Sequence, residues 1–329
     1  MKIETLKACV PALVVFGLCI PLFDGIAIAQ SGDPAELVKD IHAIFGDHHD
    51  RAVHAKGVIL NATFEPTEQA RQLSTASVFT GKVPAIVRLS NTTGFPQIAD
   101  ADPNATPHGL AVKFRLQGGS EMDLVTHSFN GFPASNAAEF DGFLKAAAAS
   151  GPGAAKPTPI EKYLQAHPNA VPFVTQQKPP PESFATTAYF GVNAFAFVDG
   201  SGKKTTLRYR IVPQAGEKYL DAASAASKRP NYLMEEIADR VGKGPVAFDW
   251  LAQIALPDDK ADDPSTPWPE DRQLRKLGTL TITGMATNQE GLSKSLLFLP
   301  NNVPPGIEPV DPMINVRGAA YPISFGERQ

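Results

Sequence analysis

Cysteine is almost absent from this sequence. Of its 329 residues, only Cys9 and Cys19 are cysteines, and both lie within the first 29 residues. A chain without that segment has no cysteine, which excludes a disulfide scaffold, a zinc–thiolate site and a cysteine nucleophile. Neither sign of charge is in large excess, since the formal net charge is −4. The chain therefore has no general electrostatic attraction to nucleic acid or to an anionic membrane.

The first 29 residues have the pattern of a secretory signal peptide. Lys2 and Lys7 precede a mostly apolar run over residues 10–23, and residues 27–29 read Ala-Ile-Ala before Gln30. The run is too short and too interrupted by proline to span a membrane. We predict Sec-type export with cleavage after residue 29 and no membrane attachment afterwards. Because the cleavage site has no lipobox cysteine and the signal no twin arginine, we expect a periplasmic protein.

The hydrophobic periodicity predicts both strands and helices. Eight segments have the apolar or alternating pattern of strands: 58–64, 85–90, 110–116, 122–125, 189–198, 205–212, 279–282 and 296–299. Helical patterns lie between them, at 33–46, 137–149, 160–167, 218–227, 232–242 and 247–255. Because the strands come in runs with helices inserted after them, we predict an α+β fold with a largely antiparallel sheet or closed barrel.

Nucleotide-binding motifs are missing as well. No G-x-G-x-x-G follows a strand and no P-loop occurs, so a doubly wound nucleotide-binding sheet is disfavoured. The Pro-rich segment 176–181 is either a linker between two domains or an extended arm within one. We predict that residues 30–329 form a single domain.

Three histidines near the predicted first helix are candidate ligands. His48, His49 and His54 are close in sequence, and such spacing can indicate a metal site. The segment breaks the helical pattern and lacks H-E-x-x-H, so a polar helix exit explains His48 and His49 better. On an extended backbone Val53 and His54 would point to opposite faces. Spacing alone favours a hydrogen-bonded core histidine at position 54 over a catalytic one.

Two further clusters place arginine beside a hydroxyl group. Arg88 and Ser90 point the same way on a strand, and on the inward side of a barrel they could bind an anion or orient a histidine. The solvent-facing side is about equally compatible with the pattern. Arg317 and Tyr321 are i, i+4 neighbours if helical, and a guanidinium beside a phenol favours the phenolate, a ligand suited to ferric iron. Pro322 disfavours a regular helix there, which leaves a packing tyrosine as the alternative.

Taken in order, seven short segments resemble the catalase superfamily, and most closely its short, secreted catalase-related haem peroxidases. The resemblance extends from near residue 45 to the C-terminus. One such segment is weak evidence, whereas seven in order are specific. They are Arg51-Ala-Val-His54-Ala-Lys-Gly57, Val87-Arg-Leu-Ser90-Asn-Thr-Thr-Gly94, His108-Gly-Leu-Ala-Val-Lys-Phe114, Asp123-Leu-Val125, Trp268-Pro269, Pro305-Gly-Ile-Glu-Pro309 and Arg317-x3-Tyr321.

The resemblance implies a catalase-like antiparallel β-barrel of about eight strands, with inserted and C-terminal helices, that binds haem b (iron protoporphyrin IX). It makes His54 the distal histidine that acts on peroxide and Ser90 its hydrogen-bond partner. Tyr321 becomes the tyrosinate that ligates the iron, and Arg317 keeps it ionised. The other matches are contacts to the haem: Arg51, Arg88 and Arg328 toward the propionates, and Val53, Phe132 and Phe140 on the distal side.

One distal position departs from the family. Catalases carry an asparagine shortly after the Asp-Leu-Val run, and His127 stands there in this chain. That asparagine helps to hold peroxide, so we do not expect efficient dismutation. The resemblance implies a haem peroxidase that reduces hydrogen peroxide, or organic hydroperoxides, with a small organic reductant in oxidative-stress defence. The resemblance also predicts residual catalase activity and a catalytic site that includes His127. We expect the protein to be a monomer or a small homo-oligomer.

Other functions stay open at this point. The same barrel could carry haem or an apolar ligand without catalysis, although a carrier needs no acid–base pair such as His54 and Ser90. It could also convert fatty hydroperoxides in the manner of an allene oxide synthase, which requires a roomy apolar channel. A non-haem metalloenzyme using His48, His49 and His54 would bind zinc or manganese instead.

Overall fold

The computed structural model describes residues 32–329, and its centre is an antiparallel β-barrel. The predicted signal peptide lies outside the described residues. The strands are β1 (Gly57–Pro66), β2 (Val83–Ser90), β3 (Gly109–Arg115), β4 (Glu121–His127), β5 (Tyr189–Val198), β6 (Lys204–Pro213), β7 (Val246–Ile254), β8 (Leu274–Met285) and the short β9 (Ile307–Pro309).

The barrel closes through a short contact between β4 and β5. Neighbouring strands follow the order β4-β3-β2-β1-β8-β7-β6-β5, and a pairing of His127 with Phe190 joins the two ends. β5 therefore has two partners on this edge: β4 pairs with it at Phe190, and β9 pairs with it at residues 195–197. This confirms the predicted α+β fold with a closed antiparallel barrel of eight strands.

Aromatic side chains fill the barrel interior. Trp250 of β7 stacks on Phe114 of β3 at 5.5 Å between ring centroids, with 13° between the planes. Phe64 lies 5.3 Å from Phe114 and 5.2 Å from Trp250, and all three rings are buried. Because successive side chains of a strand point to opposite faces, the residues on either side of each inward ring point to the outer face of the barrel.

The described residues form nine α-helices besides the barrel. They are α1 (Pro34–Phe45), α2 (Glu68–Leu73), α3 (Ala137–Ala148), α4 (Pro159–Ala166), α5 (Val171–Thr175), α6 (Ala222–Ala226), α7 (Tyr232–Lys243), α8 (Gln289–Ser295) and α9 (Met313–Glu327). Of these, α2 and α7 pack against the interior core, whereas α1, α3 and α9 lie over the outer face. α1 begins as its sequence predicts, since the Asp33 side chain accepts a hydrogen bond from the Ala35 amide and Pro34 occupies the first turn. No helix within residues 32–329 is long and apolar enough to cross a membrane.

Arg88 and Ser90 lie on the outer face of the barrel, not inside it. Their neighbours Val87 and Leu89 belong to the interior core, because alternate residues of β2 point to opposite faces. The outer face is covered next to them by an apolar cluster that includes Leu296 and Phe298. Both polar residues are therefore buried, which neither of the sequence-based alternatives described.

Two predicted elements are wrong. Residues 247–255 form the strand β7 instead of a helix, because Phe248, Trp250 and Ala252 alternate into the barrel and both edges of the strand are paired. Residues 296–299 form no strand, because they run as a covering segment over the barrel after α8. The helix expected over 218–227 is reduced to α6, since Tyr219 forms a β-bridge with Pro181.

Several elements escaped the sequence patterns. α2, α5, α8 and β9 are short and have little periodicity. The strand predicted over 279–282 is the central part of the longer β8. α9 continues through Pro322, which the sequence disfavoured. The segment 176–181 runs beside residues 218–220, where the Pro180 carbonyl accepts a hydrogen bond from the Leu220 amide.

Candidate functional site

A cavity of about 380 Å³ lies between the outer face of β2–β4 and the helices α1, α3 and α9. Its wall is mostly apolar, with Leu37 and Ile41 from α1 and Phe140 and Phe143 from α3. All of the site residues that the sequence predicted line this one cavity: Arg51, Val53, His54, Arg88, Ser90, His127, Phe132, Phe140, Arg317, Tyr321 and Arg328. The tertiary structure thus brings together residues from both ends of the chain.

The polar floor of the cavity is one transverse row of the barrel. Gly57 pairs with Ser90, Ser90 with Gly109, Gly109 with His127, and His127 with Phe190. Residues directly opposite each other on neighbouring strands share a face. Gly109 therefore stands between Ser90 and His127, and the space that a side chain would need there is filled by the His54 ring and the Ser90 hydroxyl.

His54 lies in a bend that is held against the loop after β2. Its amide donates to the Thr92 carbonyl at 3.0 Å, and the next amide donates to the Thr93 carbonyl at 3.0 Å. The backbone of His54 is left-handed, with a φ of 59°, so the prediction from an extended backbone is wrong here. Such strain in a non-glycine residue is common at functional sites, where surrounding contacts impose it.

Ser90 and Gly109 fix the imidazole of His54. Nδ1 lies 3.0 Å from the Ser90 hydroxyl. A Cβ atom on Gly109 would come within 2.7 Å of both Nδ1 and the Ser90 hydroxyl oxygen, so only glycine fits beside this pair. Burial lowers the pKa of His54 to about 3, with the charge of Arg88 as the next cause. The ring is therefore neutral at physiological pH.

His127 places a second imidazole on the cavity wall. Burial lowers its pKa to about 3, and the nearby charge of Arg317 acts in the same direction. Its Nδ1 accepts a 3.4 Å hydrogen bond from the Phe129 amide. Its Nε2 is buried and has no partner among residues 32–329.

Tyr321 and Arg317 form the polar part of the α9 wall. Arg317 donates to the phenolic oxygen of Tyr321 from Nε at 3.0 Å and from Nη2 at 2.6 Å. These two charge-assisted hydrogen bonds hold the phenolic oxygen in place at the cavity wall. Arg317 is held in turn by the Asn193 side-chain carbonyl, and the Asn193 amide donates to the Asp311 carboxylate at 2.7 Å.

Three guanidinium groups, the buried ones of Arg88 and Arg328 and the half-buried one of Arg51, lie at the end of the cavity near residue 296. Arg51 and Arg328 both donate to the Leu296 carbonyl, at 2.9 and 2.7 Å. Burial, with the charges of Arg88 and Arg328, lowers the pKa of Arg51 to about 8. The Nε atoms of Arg88 and Arg328 are buried without a partner among the described residues. Like charges held together with unused donors form a site for an anion.

The remaining predicted residues supply apolar contacts. Phe132 and Phe140 pack with 4.8 Å between ring centroids, and Val53 lies beside His54 on the wall. His48 and His49 do not belong to the site, since both are exposed where α1 ends. Within residues 32–329, no group of three or more histidine, cysteine, aspartate or glutamate side chains could hold a metal ion.

The sequence analysis did not identify the residues that position His54 and Arg317. Gly109 belongs to the segment His108–Phe114 that resembles the family, but only the strand register shows its contact with His54. Asn193 and Asp311 are 118 residues apart, so no local pattern links them. Ser324 accepts a hydrogen bond from the Ala52 amide and ties α9 to the His54 bend, again without a sequence signal.

Comparison with known proteins matches nearly the whole described chain to one family. The family model described as Catalase matches residues 46–328. A protein named catalase-related peroxidase from Mycolicibacterium paratuberculosis is 38% identical over 279 residues, which cover 83% of this chain and 87% of that protein. A protein of the same name from Synechococcus elongatus is 29% identical over 313 residues, covering 92% and 91%.

Solved structures match in fold. A bacterial catalase aligns with a TM-score of 0.74 at 21% identity, over 85% of this chain and 57% of that one. A fungal catalase aligns with a TM-score of 0.73 at 19% identity, over 85% and 59%. This chain thus spans a little over half the length of these catalases.

Proposed function

This chain belongs to the catalase family, and on that premise we propose that it is a haem-dependent peroxidase. It reduces hydrogen peroxide with electrons from a small organic donor. The relatives named catalase-related peroxidase support this activity, since they match over more than four-fifths of their own length. The cavity supports it further, because acid–base groups and a phenolic ligand line the same space.

The described residues fit haem b. The apolar wall suits a tetrapyrrole, and the partnerless Nε atoms of Arg88 and Arg328, with Arg51, suit two propionates. The Tyr321 oxygen, held by Arg317, suits ferric iron. Bound haem would supply the redox chemistry, giving two electrons to peroxide and recovering them from the organic donor.

His54 moves the proton in this proposal. Its neutral ring uses Nδ1 to bond Ser90, which leaves Nε2 for the substrate. Nε2 accepts a proton from one peroxide oxygen and returns it to the oxygen that leaves as water. Ser90 and Gly109 are positioning residues, because they hold the ring and touch no reacting atom.

The observation that carries the proposal is the pair of N–H bonds from Arg317 to the Tyr321 oxygen. A carrier of apolar molecules needs no such anionic ligand beside a buried imidazole. The purified protein, loaded with haem, should therefore show a high-spin ferric Soret band that shifts when peroxide is added. Steady-state oxidation of a phenolic donor should depend on peroxide.

Variants separate haem binding from peroxide chemistry. Tyr321→Phe should bind haem weakly and lose the parent spectrum, whereas Tyr163→Phe, a tyrosine outside the cavity lining, should match the parent. His54→Ala should keep haem but react with peroxide about 10²–10⁴-fold more slowly. Haem retention by Tyr321→Phe with an unchanged spectrum, or no haem band in the parent, would refute the proposal.

We extend the proposal to finer points that rest on the sequence. Weak dismutation follows from histidine in place of the family asparagine, and oxygen release from peroxide alone would measure it. Export to the periplasm follows from the pattern of residues 1–29, and the N-terminal sequence of the protein from that compartment tests it. We also propose that the protein acts on organic hydroperoxides and serves in oxidative-stress defence. Its proposed assembly state is a monomer or a small homo-oligomer.

A further inference from the structure

α1 is a wall of the cavity that can move without displacing the polar site residues. It contributes only apolar side chains to the lining, among them Leu37, Ile41 and Phe45. The exposed residues 46–49 follow it and belong to no strand, so the helix can turn about them without breaking the barrel. A guest that lies under α1 can therefore enter or leave on this side when the helix moves.

His42 makes a polar contact between α1 and α9. Its Nε2 lies 2.9 Å from Oε2 of Glu327, at the end of α9. Its Nδ1 lies 3.1 Å from the carbonyl oxygen of Gly46, the residue that follows α1. An ionised carboxylate and a carbonyl oxygen can only accept hydrogen bonds. A neutral imidazole has one N–H and the imidazolium has two, so only the charged ring satisfies both contacts.

The charges around His42 favour its second proton. Burial opposes the charged ring, but the bonds to Glu327 and Gly46 outweigh it, and the pKa of His42 is raised. The charge of Asp47, in the exposed segment after α1, acts in the same direction. Because the folded chain holds this proton more tightly than the unfolded chain, the contact is complete below about pH 6.5. It is lost as pH rises through the folded-state pKa.

The opposite side of α1, which faces α3, offers no compensating link at neutral pH. Asp40 of α1 lies beside Asp141 of α3, and Glu36 adds a further negative charge. Lys145 is 3.9 Å from Asp40 but is already paired with Asp141 at 2.6 Å. One Asp40 oxygen is buried without a partner among residues 32–329. The polar attachment of α1 near neutral pH therefore depends on its contact with α9.

We propose that α1 is a pH-dependent lid over the cavity, which is closed while His42 is protonated and opens more often once that proton is lost. The inference rests on the proposed function, which supplies haem as the guest. The contact slows haem exchange while it is made, and its loss as pH rises speeds haem exchange. Val38 and Ala320 belong to one apolar cluster between α1 and α9, so the lid loosens without the helix leaving the fold.

Hydrogen exchange of the α1 amides tests the lid in the haem-free full-length chain. At about pH 6 we expect His42→Gln to exchange about 3- to 5-fold faster than the parent, because glutamine cannot carry the charge that pairs with Glu327. At about pH 8.5 both should exchange at the same rate, since the parent has then lost its proton as well. Comparing variant and parent at one pH cancels the dependence of intrinsic exchange on pH.

His167→Gln is the matched control. His167 also lies at the end of a helix, α4, and its Nδ1 is 2.9 Å from the Tyr163 carbonyl oxygen, but no carboxylate pairs with it among the described residues. The α1 exchange of this variant should equal that of the parent at both pH values. Glu327→Gln removes the other half of the contact and should behave as His42→Gln does.

Haem exchange measures the consequence for the guest. Mixed with an excess of a haem-scavenging globin at about pH 6, haem-loaded His42→Gln should lose haem about 3- to 5-fold faster than the parent. At about pH 8.5 the two should lose it at the same rate. Haem loss at the parent rate in His42→Gln at the lower pH would show that α1 does not cover the exit and would overturn the inference.

Other outcomes separate this inference from the proposed function. An α1 exchange ratio that is equal at the two pH values would overturn the inference, because the contact would not depend on the proton. NMR of the ¹⁵N-histidine-labelled, haem-free parent decides the case even where a variant fails to fold. We expect His42 to carry two ring protons at about pH 6, and a neutral ring there would overturn the inference. A parent that binds no haem would overturn the proposed function, while the α1 exchange would still test the lid.

Discussion

At the scale of single residues, the site depends on Gly109, a position at which no side chain can be accommodated. Gly109 lies opposite Ser90 on β2 and opposite His127 on β4, so it stands between the polar groups of the cavity floor. Any Cβ there would meet the His54 ring and the Ser90 hydroxyl. The sequence showed this glycine within a motif, but the reason for it is a contact between three strands and a bend.

We therefore expect Gly109→Ala to misplace His54. The reaction with peroxide should slow by about 10- to 100-fold, because a histidine moved by about 1 Å is poorly aligned with its substrate. Haem should remain bound, since Tyr321 and the three arginines are untouched. Gly81→Ala is the matched control, because nothing lies within 4 Å of a Cβ atom there. A Gly109→Ala rate equal to that of Gly81→Ala would contradict this account.

At the scale of elements, α9 shows a local rule overridden by tertiary contacts. Pro322 lacks an N–H and normally interrupts a helix, yet α9 runs through it to Glu327. The helix is fixed on both sides of the proline. Arg317 bonds Asn193 before it, and Ser324 and Arg328 contact Ala52 and Leu296 after it. Tyr321 is thereby held at the cavity although its local sequence argued for a packing role.

The pair α1 and α3 forms another wall of the cavity and contains an unfavourable charge. Asp40 of α1 is buried, and its Oδ2 has no hydrogen-bond partner among residues 32–329. Burial, and then Asp141 of α3, raise the pKa of Asp40, while Lys145 lies 3.9 Å from Oδ2. Because the folded chain holds this proton more tightly than the unfolded chain, ionised Asp40 weakens the fold as pH rises above about 4.

Asp40→Asn should therefore stabilise the protein near neutral pH. We expect the free energy of unfolding to rise by about 0.5–1 kcal/mol, because the amide needs no charge solvation between the two helices. Chemical denaturation measures it, and the same experiment near pH 3 is the internal control, since the carboxyl is protonated below the ordinary aspartate pKa of about 3.9 in both the folded and the unfolded chain. Destabilisation at neutral pH would mean that the Lys145 pair outweighs the burial.

At the scale of the whole molecule, the fold holds three histidines in the neutral state: His108 is buried, and His54 and His127 are half-buried on the cavity wall. Burial lowers the pKa of His54 and of His127 to about 3 and that of His108 to about 4. An unfolded histidine binds a proton below about pH 6.5. Below that pH the unfolded chain binds more protons than the folded chain. The stabilisation is therefore complete above about pH 6.5 and is lost as pH falls.

The haem-free full-length chain should accordingly be labile to acid. Between about pH 6.5 and about pH 4.5, each of these histidines should lower the free energy of unfolding by up to about 1.4 kcal/mol per pH unit. Denaturant unfolding across this range measures the slope. His108→Gln should reduce the slope by the share of one histidine, and a parent whose stability is flat over this range would contradict the prediction.

The sequence by itself determined the family, the closed antiparallel barrel and eleven of the residues that line the cavity. It did so because strand alternation and short motifs are properties of neighbouring residues and can be recognised without knowing which segments pair. Only the tertiary structure decided that 247–255 is a strand, that Arg88 and Ser90 face outward under helices, and that Asn193 and Asp311 support Arg317. Those outcomes depend on pairing partners and covering elements far away in the chain, which no local pattern contains.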